Sequence, residues 1–217
     1  MGREFIPLFD DWANYYEQTV SGQDEEYKEV FESYDNILET VALKSKGTVV
    51  EFGVGTGNLT EKLIAAGREV YGIEPSKVMR DMSKARFMQL ELFDGDFLDF
   101  PDLPGNIDSI VSTYAFHHLT DDEKDSALAI YSKLLPENGK VVFADTAFIN
   151  EEDRQERYRI VKKQGYSNLL EDLQREYYTT LDVLDELFKK NGFQVRFEKL
   201  NSYVWLMEAI KENRNKY

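Results

Sequence analysis

The sequence predicts an α/β fold in which helices cover a seven-stranded, mostly parallel β-sheet with a final antiparallel hairpin. The first observation is an apolar run that leads into a glycine-rich turn and a helical pattern, VVEFGVGTGNLT over 49–60. The second is that strand and helix patterns alternate along the chain, which is typical of βαβ units. The third is that only Asn201 and Ser202 separate the last two strand patterns. So short a connection requires antiparallel neighbours, so one strand is predicted to be reversed.

Length and composition indicate one cytoplasmic domain. The chain has 217 residues, so we expect one domain over 1–217, with a helical prefix over 1–47 and a helical insertion over 149–178. The net charge of −15 repels phosphate backbones, so nucleic acid is not an expected partner. The absence of cysteine excludes disulfides and thiolate metal sites. No apolar run approaches the ~20 residues of a membrane span and no signal peptide is evident, so no membrane partner is expected.

Two helices are predicted before the first strand. The first is predicted by aromatic and apolar residues at steps of three and four, namely Phe5, Leu8, Phe9, Trp12, Tyr15 and Tyr16. After Ser21 and Gly22 interrupt this pattern, a second apolar stripe predicts an amphipathic helix from Tyr27 to Val41 that ends near 44–47. We expect both helices to cover one face of the sheet.

The glycine turn predicts a ligand site. Gly53, Gly55 and Gly57 follow the first strand at alternate positions. Glycine lets the backbone approach a ligand without a Cβ in the way, and the free N–H groups of the next helix, 58–66, favour an anionic group. The dinucleotide fingerprint G-x-G-x-x-G fails in both frames, because positions 58 and 60 do not hold glycine. At the end of the strand, the Glu51 carboxylate can accept a hydrogen bond from a ligand ammonium, directly or through water.

The second strand, Glu69–Ile73, ends at a candidate ribose-binding carboxylate. Glu74 follows the strand directly, in the crevice where open α/β sheets bind ligands. Its separation from the last glycine suits an acid that accepts from both ribose hydroxyls. The alternative is a solvated turn carboxylate. Ser76 can cap the next helix, and Met79 on that helix is placed to pack near an adenine.

The third strand pattern, Gln89–Phe93, precedes the segment GDFLDF. Asp96 would lie in the loop beyond the strand, where its carboxylate can accept a hydrogen bond from an adenine amino group. Phe97 would then pack against the adenine ring. The alternative is that Asp96 only forms a turn after the preceding glycine.

The fourth strand, predicted over 106–112, ends in STYAFHHL, which brings Ser112, Tyr114, His117 and His118 to the mouth of the sheet. A capping box at Thr120 then opens a helix that runs to 135. One histidine could act as a general base, or a histidine in this loop could simply bond to backbone. No metal site is expected, because neighbouring loop residues rarely converge on one ion and no third ligand is suitably spaced.

A candidate lid follows the fifth strand, Lys140–Ala144, which Asp145 ends. Residues 149–178 fit no strand pattern, and Gly165 divides them into two helical stretches over the mouth of the sheet. The basic residues of this segment could hold an anionic substrate group, or form a solvated helix face: Arg154, Arg157, Arg159, Lys162 and Lys163. The remaining elements are a helix over Thr180–Lys190 and two strands over Phe193–Leu200 and Tyr203–Ile210.

The pattern E-x-G-x-G-x-G resembles the first motif of the class I S-adenosylmethionine-dependent methyltransferases, whose fold is Rossmann-like. The resemblance runs from about position 48 to the C-terminus, and the helical prefix resembles that of the small-molecule branch. The stretches MGREFIPLFDDW, VVEFGVGTGNLTEKL and GIEPS resemble the bacterial methyltransferase family called YrrT. This resemblance implies that S-adenosylmethionine binds at Gly53, Glu74 and Asp96, and that Tyr16 reaches its methionine end. It also implies a setting in sulfur amino-acid metabolism.

The expected function is therefore transfer of a methyl group to a small molecule by direct in-line displacement. An N-P-P-Y type motif is absent after the fourth strand, where the chain has STYA, which argues against amide and nucleobase amino substrates. A non-catalytic sensor of the cofactor and an NAD(P)-dependent enzyme are the alternatives, and monomer and dimer both remain open. The candidate cofactor-binding residues are Tyr16, Glu51, Gly53, Gly55, Gly57, Glu74, Met79, Asp96, Phe97 and Ser112, and the candidate catalytic residues are His117 and His118.

Overall fold

A computed structural model describes Ile6 and residues 16–213 of the chain. Its sheet has seven strands in the order β3-β2-β1-β4-β5-β7-β6. The strands are β1 Thr48–Phe52, β2 Glu69–Ile73, β3 Glu91–Phe93, β4 Ser109–Thr113, β5 Lys140–Thr146, β6 Phe193–Lys199 and β7 Val204–Lys211. Neighbours from β3 to β5 pair in parallel, whereas β7 is antiparallel to both β5 and β6. The predicted reversed strand is thus confirmed and is β7.

Helices cover both faces of this sheet. The described part of the chain forms α1 Tyr16–Val20, α2 Tyr34–Lys44, α3 Asn58–Ala65, α4 Lys77–Arg86, α5 Asp121–Leu134, α6 Glu151–Gln164, α7 Ser167–Arg175 and α8 Leu181–Lys190, and a 3₁₀ turn at Phe116–His118. Residues of α2, α3, α6 and α7 share one buried cluster with the strands, and residues of α5 and α8 share the other. None of the described helices is long and apolar enough to cross a membrane.

The helical prefix differs from its prediction. The predicted second helix begins at Tyr34 instead of Tyr27, because Ser33 adopts a left-handed conformation with φ of 62° and interrupts the helix. Residues 25–33 form turns, although Val30 and Phe31 are buried as the apolar stripe predicts. Of the predicted first helix, only the part that begins at Tyr16 is described, and Phe5, Leu8, Phe9, Trp12 and Tyr15 lie outside the described residues.

Several strand ends also shift. β3 begins at Glu91 and β4 at Ser109, later than their apolar patterns predict. β5 is longer than predicted and runs to Thr146, because Asp145 and Thr146 still pair with β7. Asp145 therefore lies within the last paired residues of β5 and not in the loop that follows. The insertion after β5 is helical as predicted, with Gly165 at φ of 79° ending α6.

Candidate active site

A cavity of about 340 Å³ opens at the carboxyl ends of the parallel strands. The glycine turn, the loops after β2, β3 and β4, and the inner side of α7 form its walls. Most of the predicted site residues line it, namely Tyr16, Gly53, Gly55, Glu74, Met79, Asp96, Phe97, His117 and His118. Glu51, Gly57 and Ser112 are not part of this lining. The topology thus brings residues from distant parts of the sequence to one concave site.

The three glycines of the turn have different surroundings at the position where a Cβ would lie. A Cβ on Gly53 would lie 2.8 Å from the Cβ of Ala115. The loop after β4 therefore passes too close to this position for any residue other than glycine. Gly55, at φ of 56°, has open space where its Cβ would lie. Gly57 precedes α3, and a Cβ there would meet the ring of Phe87 at 2.8 Å. Gly53 and Gly55 therefore shape the cavity, whereas Gly57 permits packing behind it.

Glu74 is held at the end of β2 by backbone donors. Its two carboxylate oxygens accept from the N–H groups of Gly55 and Ser76, each at 2.8 Å. Arg80 donates to the carbonyls of Glu74 and Pro75, which fixes the loop that carries the carboxylate. Each carboxylate oxygen has more than one acceptor site, so a ligand diol can still donate to Glu74. The side chain is therefore oriented before any ligand arrives.

Asp96 serves the turn and also lines the cavity. Its Oδ1 accepts from the N–H groups of Leu98 at 2.9 Å and Asp99 at 3.0 Å, the arrangement expected of a turn-forming aspartate. The residue is nonetheless buried within the cavity wall. Phe97 stacks against Phe52 with 5.2 Å between ring centroids, which holds its ring at the same wall. The turn and ligand interpretations of Asp96 are thus compatible in this structure.

Glu51 is a buried carboxylate with an incomplete set of partners. It is only 1% exposed, and its Oε2 accepts from the Thr60 hydroxyl at 2.6 Å. Among the described residues, no donor reaches its Oε1, and the buried Ser112 hydroxyl is likewise without a partner. Burial, together with the nearby Glu74 carboxylate, raises the pKa of Glu51 to about 8. A buried acceptor left unpaired is costly, so a donor from a ligand would stabilise this group.

The first helix is attached to the glycine turn by contacts that sequence reasoning missed. Glu17 accepts from the Thr56 hydroxyl at 2.6 Å and from the Asn58 side-chain amide at 3.1 Å. The neighbouring Tyr16 hydroxyl lies 3.3 Å from that of Tyr34, and burial raises the Tyr16 pKa well above its usual value. No local pattern could have shown these contacts, because Glu17 and Thr56 are 39 positions apart. They explain how Tyr16 is held at the cavity.

His117 lies between two carboxylates. Its Nδ1 is 2.6 Å from Asp145 Oδ1, and its Nε2 is 3.1 Å from Glu176 Oε2. Its backbone N–H also donates to Asp145 Oδ2 at 3.0 Å. Burial disfavours the imidazolium, but the two carboxylates outweigh burial and raise the His117 pKa to about 10. Burial and the adjacent charge of His117 lower the His118 pKa to about 3.

The segment after α7 closes over the histidines. The Tyr178 ring stacks on His117 with 4.6 Å between centroids, and its hydroxyl donates to Glu176 at 2.7 Å. The Lys124 ammonium donates to the Tyr177 carbonyl at 2.7 Å and so fixes this segment to α5. This segment belongs to the predicted lid, but Glu176 and Tyr178 are not among the predicted site residues. Glu176 is a third possible metal ligand beside the two histidines, and the spacing of the histidines in the sequence did not reveal it.

Tyr114 carries backbone strain at the cavity wall. It adopts φ of 53°, a left-handed conformation that is unfavourable for a bulky side chain. Such strain costs of order 1–3 kcal/mol and is found preferentially at functional sites. Its ring packs on Phe31 at 5.0 Å and Tyr34 at 5.5 Å between centroids. The strained turn after β4 thus joins the histidine loop to the aromatic prefix.

The five basic residues predicted to hold an anionic group do not line the cavity, whereas Arg175 at the end of α7 does. Arg154 donates to the Tyr178 carbonyl at 3.0 Å, and Arg157 donates to the Ser202 carbonyl at 2.9 Å. Arg159 pairs with the exposed Glu156 one turn away. The expectation that these residues hold an anionic substrate group is therefore not supported by their positions. They fix the insertion to its surroundings or face solvent.

Fold and site together define an α/β protein with a ligand cavity at the carboxyl ends of its strands. A family model described as "Methyltransferase domain" matches residues 24–197. A protein of Geobacillus sp. strain WCH70, named as an uncharacterized methyltransferase, is 56% identical over 213 residues, which is 98% of this chain and 100% of that protein. The chain therefore belongs to the methyltransferase domain family.

Solved structures share the fold of this chain. The YcgJ protein of Bacillus subtilis has a TM-score of 0.66 at 13% identity, covering 82% of this chain and 99% of that chain. The magnesium protoporphyrin IX methyltransferase of Synechocystis, solved with bound S-adenosylmethionine, has a TM-score of 0.63 at 15% identity, covering 95% and 97%. At these identities the likeness concerns the fold. The finer resemblance to the YrrT family stays a prediction.

Proposed function

We propose that the protein transfers a methyl group from S-adenosylmethionine to a small-molecule acceptor. The observation that carries this proposal is the placement of Glu74 beside the open face of Gly55, at the carboxyl end of β2. A carboxylate that is already oriented by backbone N–H groups suits recognition of a ribose diol. The failed dinucleotide fingerprint disfavours an NAD(P)-dependent enzyme.

The described residues fit each part of this cofactor. Glu51, with its unpaired buried oxygen, would accept from the ammonium, and Gly53 and Gly55 would admit the methionine end. Glu74 would accept from the ribose hydroxyls. Asp96 would accept from the adenine amino group, with Phe97 and Met79 against the ring. Of the other predicted contacts, Tyr16 lies at the cavity, whereas Gly57 and Ser112 would act from behind it.

The rest of the cavity would hold the acceptor. Its walls there combine aromatic and apolar residues such as Tyr27, Phe31 and Leu169 with the charged residues Asp172, Arg175 and Glu176. The cofactor supplies an already activated methyl group, so positioning of the acceptor accounts for much of the rate enhancement. His117 and His118 line this side and remain the candidate catalytic residues, which orient the acceptor or help to activate it.

A non-catalytic sensor would bind the same cofactor and differ only in turnover. The test is therefore incubation of the protein with S-adenosylmethionine labelled in its methyl group and a small-molecule extract. We expect label to enter a small molecule and S-adenosylhomocysteine to accumulate with it. Binding of the cofactor without any transfer would favour the sensor. Tight binding of NAD, with no binding of S-adenosylmethionine or its demethylated product, would contradict the cofactor assignment.

A further inference from the structure

We propose that His117, His118 and Glu176 bind a divalent transition-metal ion such as Zn²⁺ in the wall of the cavity. One ligand atom from each residue lies within 4.8 Å of the other two. All three residues line the cavity, and the side chains of His117 and Glu176 are 9% and 8% exposed. Binding of the ion is independent of the proposed function, whereas its use in methyl transfer rests on that function.

The distances are close to those that a metal requires. Nitrogen and oxygen ligands lie about 2.0–2.2 Å from zinc, so two ligands of a tetrahedral ion are about 3.4 Å apart. His117 Nε2 and Glu176 Oε2 are already 3.1 Å apart. The widest separation in the group is below 4.8 Å, so a side-chain movement of about 1 Å brings the third ligand into place.

The ligand types select the class of ion. Two imidazoles and one carboxylate suit zinc and other first-row divalent ions, whereas Mg²⁺ and Ca²⁺ prefer oxygen ligands alone. Three protein ligands leave a tetrahedral zinc ion with one further position for water or substrate. Because all three ligands line the cavity, that position is available to an acceptor molecule.

The surrounding groups orient two of the ligands. Asp145 lies 2.6 Å from His117 Nδ1, so it can hold the proton of that nitrogen and leave Nε2 for the metal. This carboxylate–histidine arrangement is the usual outer shell of a zinc ligand. Tyr178 donates to the Glu176 carboxylate and stacks on His117, which fixes both side chains. The ligands are thus supported by a second layer of buried contacts.

The competing interpretation is an ion pair in which a protonated His117 bridges Asp145 and Glu176. This interpretation explains both short distances without a metal. A metal would use all three side chains and would add a function. Bound to an acceptor hydroxyl or thiol, it would orient that group and lower its pKa as a Lewis acid.

The experiment is zinc titration of untagged, full-length protein after removal of metals with a chelator. Calorimetry should show one Zn²⁺ per chain, and Co²⁺ should give the visible absorption of a nitrogen-ligated, low-coordinate ion. Because the chain has two histidines and no cysteine, nitrogen ligation from side chains identifies this site. The Co²⁺ spectrum uses the wild-type protein, so it does not depend on the folding of a variant.

Two variants test the ligands. Glu176→Gln and His118→Ala should weaken zinc binding at least as much as loss of an outer-shell partner does, roughly 10–100-fold. Glu171→Gln is the matched control, because Glu171 lines the same cavity from α7 with a side chain that is 71% exposed. It should bind zinc as the wild type does.

The outcomes separate the two interpretations. Absence of stoichiometric zinc binding in the wild type would overturn the proposal and leave His117 as the bridging imidazolium. Equal affinity in the two ligand variants and the wild type would place the ion elsewhere and also overturn it. Cofactor binding is measured separately by calorimetry without metal, so failure of the metal site and failure of the proposed function are distinguishable.

Discussion

Binding of the cofactor should release a proton from Glu51. The Glu51 carboxyl is fully buried, has an unpaired oxygen and has its pKa raised to about 8. At pH 7 a group with that pKa is about nine-tenths protonated. The ammonium of a bound ligand favours the ionised carboxylate, because an opposite charge at short range lowers the pKa of an acid. The proton must then leave when the ligand binds.

The magnitude follows from the two groups that titrate. Glu51 should lose about 0.9 proton at pH 7, and the ligand amine, with an ordinary pKa near 7.7–8.0, should gain about 0.1. The net release is therefore about 0.8 proton. It should fall to about zero near pH 8, where the two changes cancel, and become a net uptake at higher pH, because Glu51 is then ionised before the ligand binds while the ligand amine must still gain a proton. Replacement by an uncharged isostere, Glu51→Gln, should abolish the release at every pH.

Calorimetry in two buffers measures this release. S-Adenosylhomocysteine is the suitable ligand, since it carries the same ammonium and cannot be turned over. Titrations at pH 7 in phosphate and in Tris, whose protonation enthalpies differ, give the number of protons from the difference in observed enthalpy. Glu91→Gln is the control, because Glu91 is an exposed carboxylate on β3. Equal proton release in the wild type and Glu51→Gln, or none in the wild type, would refute the reasoning.

The same group should make the ligand-free protein less stable as the pH rises. The folded-state pKa of Glu51 is about 8, above the ordinary 4.5, so the folded state holds a proton that the unfolded state has lost. The stability contribution is thus present at pH below about 4.5 and is lost as the pH rises to 8. A shift of this size corresponds to about 4–5 kcal/mol at most. Chemical denaturation of Glu51→Gln should lack this part of the pH dependence.

Three further outcomes test the rest of the site. Glu74→Ala should weaken cofactor binding roughly 100-fold, because two charged hydrogen bonds of about 1.5 kcal/mol each are lost. Calorimetry measures this loss, and the control Glu69→Ala, at the exposed start of β2, should bind the cofactor as the wild type does. Residues 151–175 should exchange amide hydrogens faster than the strands, and the cofactor should slow that exchange. If these residues are as protected from exchange as the strands without ligand, α6 and α7 are a fixed part of the fold. Thr56→Val removes the hydroxyl that Glu17 accepts from, so denaturation should show a loss of about 1 kcal/mol, and unchanged stability would mean that this contact does not hold α1.

The sheet was predictable because its signals are local. The glycine turn follows an apolar strand within a few residues, and β2 has the bounds that its pattern predicts, Glu69–Ile73. The short connection before β7, predicted as two residues and found to be the four residues 200–203, was sufficient to predict its direction. The start of α2 was not predictable, because the left-handed conformation of Ser33 interrupts an apolar stripe that continues through it. Apolar periodicity reports burial, and burial does not require that the backbone be helical.

The position of a residue at the cavity was predictable mainly where it lies within a few positions after a strand. Glu74, His117 and His118 were found from their positions after β2 and β4. The partners that determine their chemistry lie far away in the sequence, and Asp145 is 28 positions from His117. Glu176 reaches the same ring from the end of α7, in a segment whose sequence indicates only a helix. Contacts of this kind depend on how the insertion packs, which no spacing rule describes.

Two carboxylates at the glycine turn illustrate how packing assigns different roles to one chemical group. Glu74 receives two backbone N–H donors, so its oxygens are held in place in the ligand-free protein. Glu51 accepts from the hydroxyl and the backbone N–H of Thr60, but burial outweighs both donors and favours its neutral form. A cationic ligand group would therefore shift Glu51 towards its ionised form. Glu74 thus contributes affinity through oriented hydrogen bonds, whereas Glu51 couples cofactor binding to proton release below pH 8.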